Sequence, residues 1–180
     1  MGSRKWSWTS ALIGAASATA AAGILAAKPR DPAFQLISIS LTSFTLHFPV
    51  LDADLILTVH VTNPNIVPIE YGPSTMSIFY DGSLLGTAKL EAGSQAAKSC
   101  QVLQLPARLD GIELAHHASH FFADVAQREM VLDAAVEING IAKILRWAHR
   151  FRVIVDSRVT VDPVFLDVID QDNRSVIQLT

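Results

Sequence analysis

The chain has 180 residues, a formal net charge of −3, and 50% hydrophobic against 17% charged residues. This is the make-up of a globular chain with a sizeable core, not a disordered one, and the absence of a basic run in the body argues against a nucleic-acid partner. Cys100 is the single cysteine, so neither an intrachain disulfide nor a cysteine-based metal centre can form.

Residues 9–27 (TSALIGAASATAAAGILAA) are uncharged, small and apolar. A run of ~20 residues is just long enough to cross a ~30 Å hydrocarbon layer as a helix. Trp6 and Trp8 stand at its N-terminal edge, where indoles favour the membrane interface, and Arg4, Lys5, Lys28 and Arg30 flank both sides. Three readings fit. A single-pass anchor is favoured. A cleaved secretory signal would use small-residue sites such as Ala18-Thr19-Ala20. An organelle transit peptide or a buried helix is the third. Lys28-Pro29-Arg30-Asp31-Pro32 ends the segment, because two prolines so close together cannot continue a helix. The expected division is a leader with its linker at 1–32, a β domain at 33–170 and a tail at 171–180.

The body alternates with period two, which predicts strands with one dry and one wet face. In the first strand Ile37, Ile39 and Leu41 hold one phase and Phe44, Leu46 and Phe48 the other. A β-bulge near Thr42-Ser43 would restore a single buried face. Leu55, Leu57, Val59 and Val61 share the next face until Asn63-Pro64-Asn65 interrupts, since Pro64 has no ladder donor. Asp81-Gly82 between Ile78-Phe79-Tyr80 and Leu84-Leu85 predicts a tight hairpin, and Ala92-Gly93-Ser94 a further reversal.

Residues 111–126 break the pattern: Leu114, Ala118, Phe121, Phe122 and Val125 recur at helical spacing, with Asp110 placed to cap and Glu113 to complete the box. Val136 and Ile138 then resume alternation, Asn139-Gly140 reads as a hairpin tip or a bulge, and Phe151, Val153, Val155, Val159 and Val161 form the last clear face. The expected fold is mostly β: an antiparallel sandwich of the immunoglobulin or fibronectin-III kind with one short amphipathic helix, preceded by an N-terminal apolar helix.

Candidate chemical groups are few. His116 and His120 share a helix face, a spacing zinc sites use, with His117 beside them. The stretch is not H-E-x-x-H, and an exposed helix surface packing beside Phe121 is the preferred reading, so no metal site is expected. Asp156, Asp162, Asp167, Asp170 and Asp172 do not follow a calcium-loop pattern and read as wet faces and turns. Gly82 and Gly86 belong to no phosphate loop, and Ser94 and Ser99 to no nucleophile elbow. Cys100 reads as a core or edge residue. Asn173-Arg174-Ser175 is an N-glycosylation sequon, so Asn173 is a candidate acceptor should this part of the chain enter the secretory lumen. No catalytic residue and no cofactor are expected.

Phe34-Gln-Leu-Ile-Ser-Ile-Ser-Leu, then Leu55-Ile-Leu-Thr-Val-His-Val-Thr-Asn-Pro-Asn65, then Ser77-Ile-Phe-Tyr-Asp-Gly82 resemble the plant late embryogenesis abundant group 2 domain, also called the water-stress and hypersensitive-response domain. The harpin-induced-like, membrane-anchored branch is the most similar, over about residues 34–170. The resemblance implies a fibronectin-like or immunoglobulin-like sandwich with a helix, a role in pathogen defence or dehydration tolerance, and no established catalytic residues. In that branch the domain follows one transmembrane helix at the plasma membrane or plasmodesmata. This chain departs from it in a leader poorer in Leu and Val and in a very short segment before that leader. The expected function is a non-enzymatic, membrane-tethered interaction module with a protein partner still to be named. The alternatives are a lipid or small-molecule binder, or a soluble desiccation protectant, secreted or cytosolic.

Overall fold

Side-chain alternation becomes strand along most of the body. The computed structural model describes residues 30–47, 50–111, 116–144 and 147–180. The 9–27 leader and the apolar helix expected of it lie outside the described residues. Among the described residues no helix is long and apolar enough to cross a membrane.

The strands are β1 (Ala33–His47), β2 (Val50–Asn63), β3 (Ile69–Tyr71), β4 (Ser74–Tyr80), β5 (Ser83–Leu90), β6 (Gly93–Gln95), β7 (Ser99–Leu109), β8 (Met130–Ile144), β9 (Trp147–Asp162) and β10 (Asp167–Leu179), with helix α1 (Ala118–Gln127) between β7 and β8. Neighbours run β10-β9-β8-β4-β5-β7-β2-β1, every pair antiparallel. β3 pairs with β8 further along that strand and carries β6 on its other side. A sandwich of two packed layers was the expectation; the strands instead form one continuous sheet that curls until it is nearly a closed barrel. Alternation of dry and wet faces is the same in both arrangements, so the pattern alone does not separate them. Bulges supply the curl. β1 carries one between Leu41 and Ser43, where the change of phase predicts it, and another between Leu36 and Ser38. β10 carries one between Val168 and Asp170.

The last edge closes through side chains. Leu36 N–H donates to Gln171 Oε1 at 3.0 Å, and Gln171 Nε2 donates back to Leu36 O at 3.2 Å. Asn173 Nδ2 donates to Phe34 O at 2.9 Å, Ser175 Oγ donates to Pro32 O, and Ile177 N–H donates to Asp31 Oδ1 at 2.8 Å. A primary amide offers the same donor and acceptor as a peptide unit, so Gln171 completes the edge of β1 as a strand would. Residues 171–180, expected as a tail, therefore carry most of the closing strand.

The interior is apolar. Leu55, Leu57, Ile78, Leu105, Phe151, Val153 and Val155 form the larger buried cluster; Tyr80, Leu85, Met130, Val159 and Val161 form a second, against which Phe121 packs. Each such aliphatic or aromatic side chain contributes ~1.5–3 kcal/mol relative to exposure, before conformational entropy is subtracted.

Two local expectations are corrected. Asn139-Gly140 makes neither a hairpin tip nor a bulge, because β8 runs straight through it in unbroken register with β9. A glycine is needed there for packing: a Cβ at Gly140 would overlap the Phe151 ring and lie 2.6 Å from Glu70 O. Helix α1 starts at Ala118 with His117 as N-cap and no side-chain cap bond; residues 112–115, with Glu113 and Leu114 of the expected box at Asp110, lie outside the described residues. Phe122, expected on the dry face, is 66% exposed.

Candidate functional site

The tightest convergence of polar groups in the described residues lies outside the barrel, where the β4–β5 hairpin meets the start of α1. Asp81 and Gly82 form the hairpin tip at φ 48° and 79°, both left-handed, as a two-residue type I′ turn requires. The turn presents the Asp81 carboxylate to the helix. His120 Nδ1 lies 3.0 Å and His117 Nδ1 3.1 Å from Asp81 Oδ2. The His120 hydrogen bond is the largest influence on Asp81; against burial, which would raise it, His120 and His117 together hold the carboxyl below its usual range. His117 Nε2 stands 3.0 Å from Ser83 Oγ, and the ring meets Tyr80 edge-on at 6.2 Å. Tyr80 in turn donates to Asp124 Oδ2 at 2.7 Å. Burial, and then the Asp124 carboxylate, push the Tyr80 hydroxyl well above the usual tyrosine range, so it remains a donor at all ordinary pH.

The residue pair singled out by spacing was His116 with His120; the structure brings His117 to His120 instead. His117 precedes the first residue of α1, and a three-residue step also keeps side chains on one helix face. Asp81 comes from a distant hairpin, so no local spacing rule reveals it.

The other candidates are dispersed. Asp162, expected on a wet face, is 7% exposed. Its Oδ1 accepts Val164 N–H at 2.8 Å and Phe165 N–H at 3.2 Å, and its Oδ2 accepts Arg128 Nη2 at 2.7 Å. Burial alone would raise its pKa, but those two N–H groups and the guanidinium outweigh it and hold the carboxyl below its usual range. Arg128 stacks 4.4 Å over the Phe165 ring and adopts φ 58° at the helix C-cap, a position more often glycine. This is a structural clasp between α1 and the β9–β10 turn. Asp156 and Asp172 line an open groove together with Arg158 and Arg174, and Asp167 and Asp170 lie on β10. Ser99 Oγ donates to Ala96 O at 2.7 Å, and Ser94 pairs in register with Glu70. Gly86 sits in β5 so close to Arg108 O that a Cβ would have no room. Cys100 is exposed at the start of β7, outside the core.

The Asn63-Pro64-Asn65 step is also structural. Asn63 is 1% exposed, and its amide donates to Val67 O and Ala96 O, both at 3.0 Å, while Oδ1 accepts Asn65 N–H at 3.0 Å. A fully satisfied buried amide fixes the loop where the strand stops. Asn173, the sequon residue, lies in the seam: both its amide hydrogens are engaged, with Phe34 O and with Gln171 Oε1.

Within the barrel is an apolar cavity of about 120 Å3. Leu57, Ile78, Leu105, Val136, Val155 and Val159 are among the side chains around it, and Ser157 and Asn173 bring its few polar atoms.

Fold and site together define a class: a nearly closed antiparallel β domain with an apolar interior, whose converging polar groups sit outside, at a hairpin–helix junction. Late embryogenesis abundant protein (LEA_2) is the family whose model matches residues 58–159, more than half of the chain, and this chain belongs to that family. No curated protein matches it. A crystal structure of a protein from Archaeoglobus fulgidus is 14% identical and covers 81% of this chain and 98% of its own, with a TM-score of 0.36. A solution structure from Arabidopsis thaliana is 17% identical, covers 84% and 82%, and has a TM-score of 0.42. A solution structure of a late embryogenesis abundant (LEA) protein is 14% identical, covers 96% and 86%, and has a TM-score of 0.33.

Proposed function

We propose that this chain is a non-enzymatic interaction module of the stress response, held at a membrane by residues 9–27. Family membership supports the stress-related role. The observation that carries the rest is the interior. A cavity of about 120 Å3 with no titratable group around it is well below the ~300–1,000 Å3 of sites that enclose a drug-sized ligand. It suits neither chemistry nor the storage of a lipid. What the domain offers a partner is its outer surface, where Val102, Phe122 and Phe165 are 56%, 66% and 62% exposed. On this reading the chain belongs with the harpin-induced-like, anchored branch, at the plasma membrane or plasmodesmata, and its partner is a protein in defence or dehydration signalling.

The test is alkaline carbonate extraction of microsomes carrying the full chain, beside a chain lacking residues 9–27. Retention of the first in the pellet and release of the second is expected; release of both sinks the tether. A second reading rests on the same cavity. Dry cavities of ~150 Å3 accept guests the size of benzene, so saturable uptake of a small aromatic by the folded domain would favour a small-molecule binder.

A further inference from the structure

Asp81, His117 and His120 each offer one ligand atom, a carboxylate oxygen or a ring nitrogen, and the three atoms lie within 4.8 Å of one another. Zinc bound at about 2.0–2.2 Å to nitrogen and oxygen spaces its tetrahedral ligand atoms about 3.3 Å apart. The two nitrogens already stand 3.1 and 3.0 Å from the carboxylate oxygen. Small rotations of two exposed side chains would admit an ion between them.

The surroundings point the same way. Ser83 Oγ lies 3.0 Å from His117 Nε2 and holds the ring from that side. A ligating histidine is commonly oriented by a partner of this kind on its other ring nitrogen. His117 Nδ1 then faces the Asp81 carboxylate, 3.1 Å away. The adjoining groove adds Asp124 and Glu129 and has no lysine or arginine among the side chains that line it. Its field favours a cation. The hairpin fixes Asp81 by backbone geometry and the helix fixes His120, so two of the three ligands stand on rigid elements.

We propose that Asp81, His117 and His120 bind one divalent transition metal, zinc first among them, with water completing the coordination. Imidazole nitrogen and carboxylate oxygen are donors that suit zinc, nickel and copper better than calcium or magnesium. The side chains of His120 and Asp81 are 69% and 46% exposed, so the ion is open to exchange. Bound there, it cross-links α1 to the β4–β5 hairpin. The site does not depend on the membrane tether.

The test uses the full chain without an affinity tag, purified in detergent and stripped with a chelator. Zinc chloride is titrated calorimetrically and cobalt by its visible absorption. One saturable equivalent is expected for the wild type. Asp81→Asn and His120→Ala weaken binding at least about tenfold, the loss typical when a zinc site is disturbed even at its second shell. His116→Ala leaves binding unchanged, and zinc raises the melting temperature of the wild type but not of the two ligand variants. Absence of saturable binding by the wild type, or wild-type affinity in both Asp81→Asn and His120→Ala, overturns the site. His117 packs against Tyr80, so its replacement would disturb the core as well; the two exposed ligands avoid that complication.

Discussion

Replacing Gln171 with alanine tests whether side chains close the barrel. The substitution removes the bond from Leu36 N–H, the bond to Leu36 O and the acceptor for Asn173 Nδ2. Three hydrogen bonds at ~0.5–1.5 kcal/mol each bound the loss at about 1.5–4.5 kcal/mol. Leu36 is only half-buried, so water reaches part of the freed edge, and about 2–3 kcal/mol is the expected cost. Urea unfolding of the full chain measures the total. Hydrogen exchange at the Leu36 amide measures the seam itself: about 30- to 150-fold faster exchange corresponds to that energy if the edge opens locally. Gln178→Ala, on the same strand but exposed, should stay within ~0.5 kcal/mol. A Gln171→Ala protein whose Leu36 amide is protected as in the wild type would show that the sheet closes by some other contact, and the reasoning would be wrong.

Gly140→Ala should destabilise the domain by about 1–3 kcal/mol, because its Cβ would overlap the Phe151 ring and crowd Glu70 O at 2.6 Å; a denaturation midpoint equal to the wild type's would show that Phe151 can move aside. Asp162 carries an acid-dependent part of the stability. Its folded pKa lies below the unfolded value of 3.8, so the contribution is complete above 3.8 and is lost as pH falls through the depressed folded value. Asp162→Asn should therefore lower the melting temperature most at neutral pH and progressively less below 3.8, and a pH-independent difference between the two proteins would refute it.

The strands whose interior residues are aliphatic were legible because burial there is a sequence pattern. Leu55, Leu57, Val59 and Val61, and Phe151 to Val161, alternate as they do because one side faces a core. The phase change in β1 located the bulge between Leu41 and Ser43, although Leu41 itself is exposed and Phe34, Leu36 and Ile39 are the residues turned to the core. The hairpin at Asp81-Gly82 was legible because positive φ restricts residue choice. What could not be read depends on contacts between distant segments. Gly140 is a glycine because of Phe151 and Glu70, not because the chain turns. Asp162 looks like one more wet-face acid until Arg128 and the Val164 and Phe165 amides come to meet it. Two of the three residues of the hairpin–helix cluster were visible as neighbouring histidines; the carboxylate that organises them belongs to another element.

The closing strand was missed for a more general reason. On β10 the residues turned towards β1 are Gln171, Asn173 and Ser175, while Asp172 and Arg174 point to water. Both faces are polar, so hydropathy reads the segment as a tail. Two open sheet edges would expose unpaired N–H and C=O groups and invite pairing with another chain. Here one edge satisfies the other with amide and hydroxyl side chains, and a backbone ladder is not required. A ladder between backbones tolerates almost any sequence; a seam of side chains does not, because only Gln and Asn carry a peptide's donor and acceptor on a short stem. The polar character that hid β10 is therefore the property that lets it close the barrel. The same argument explains why Asn173 can serve the seam or carry a glycan but not both: its two amide hydrogens are spent on Phe34 O and Gln171 Oε1, and a sugar on that nitrogen would replace one of them.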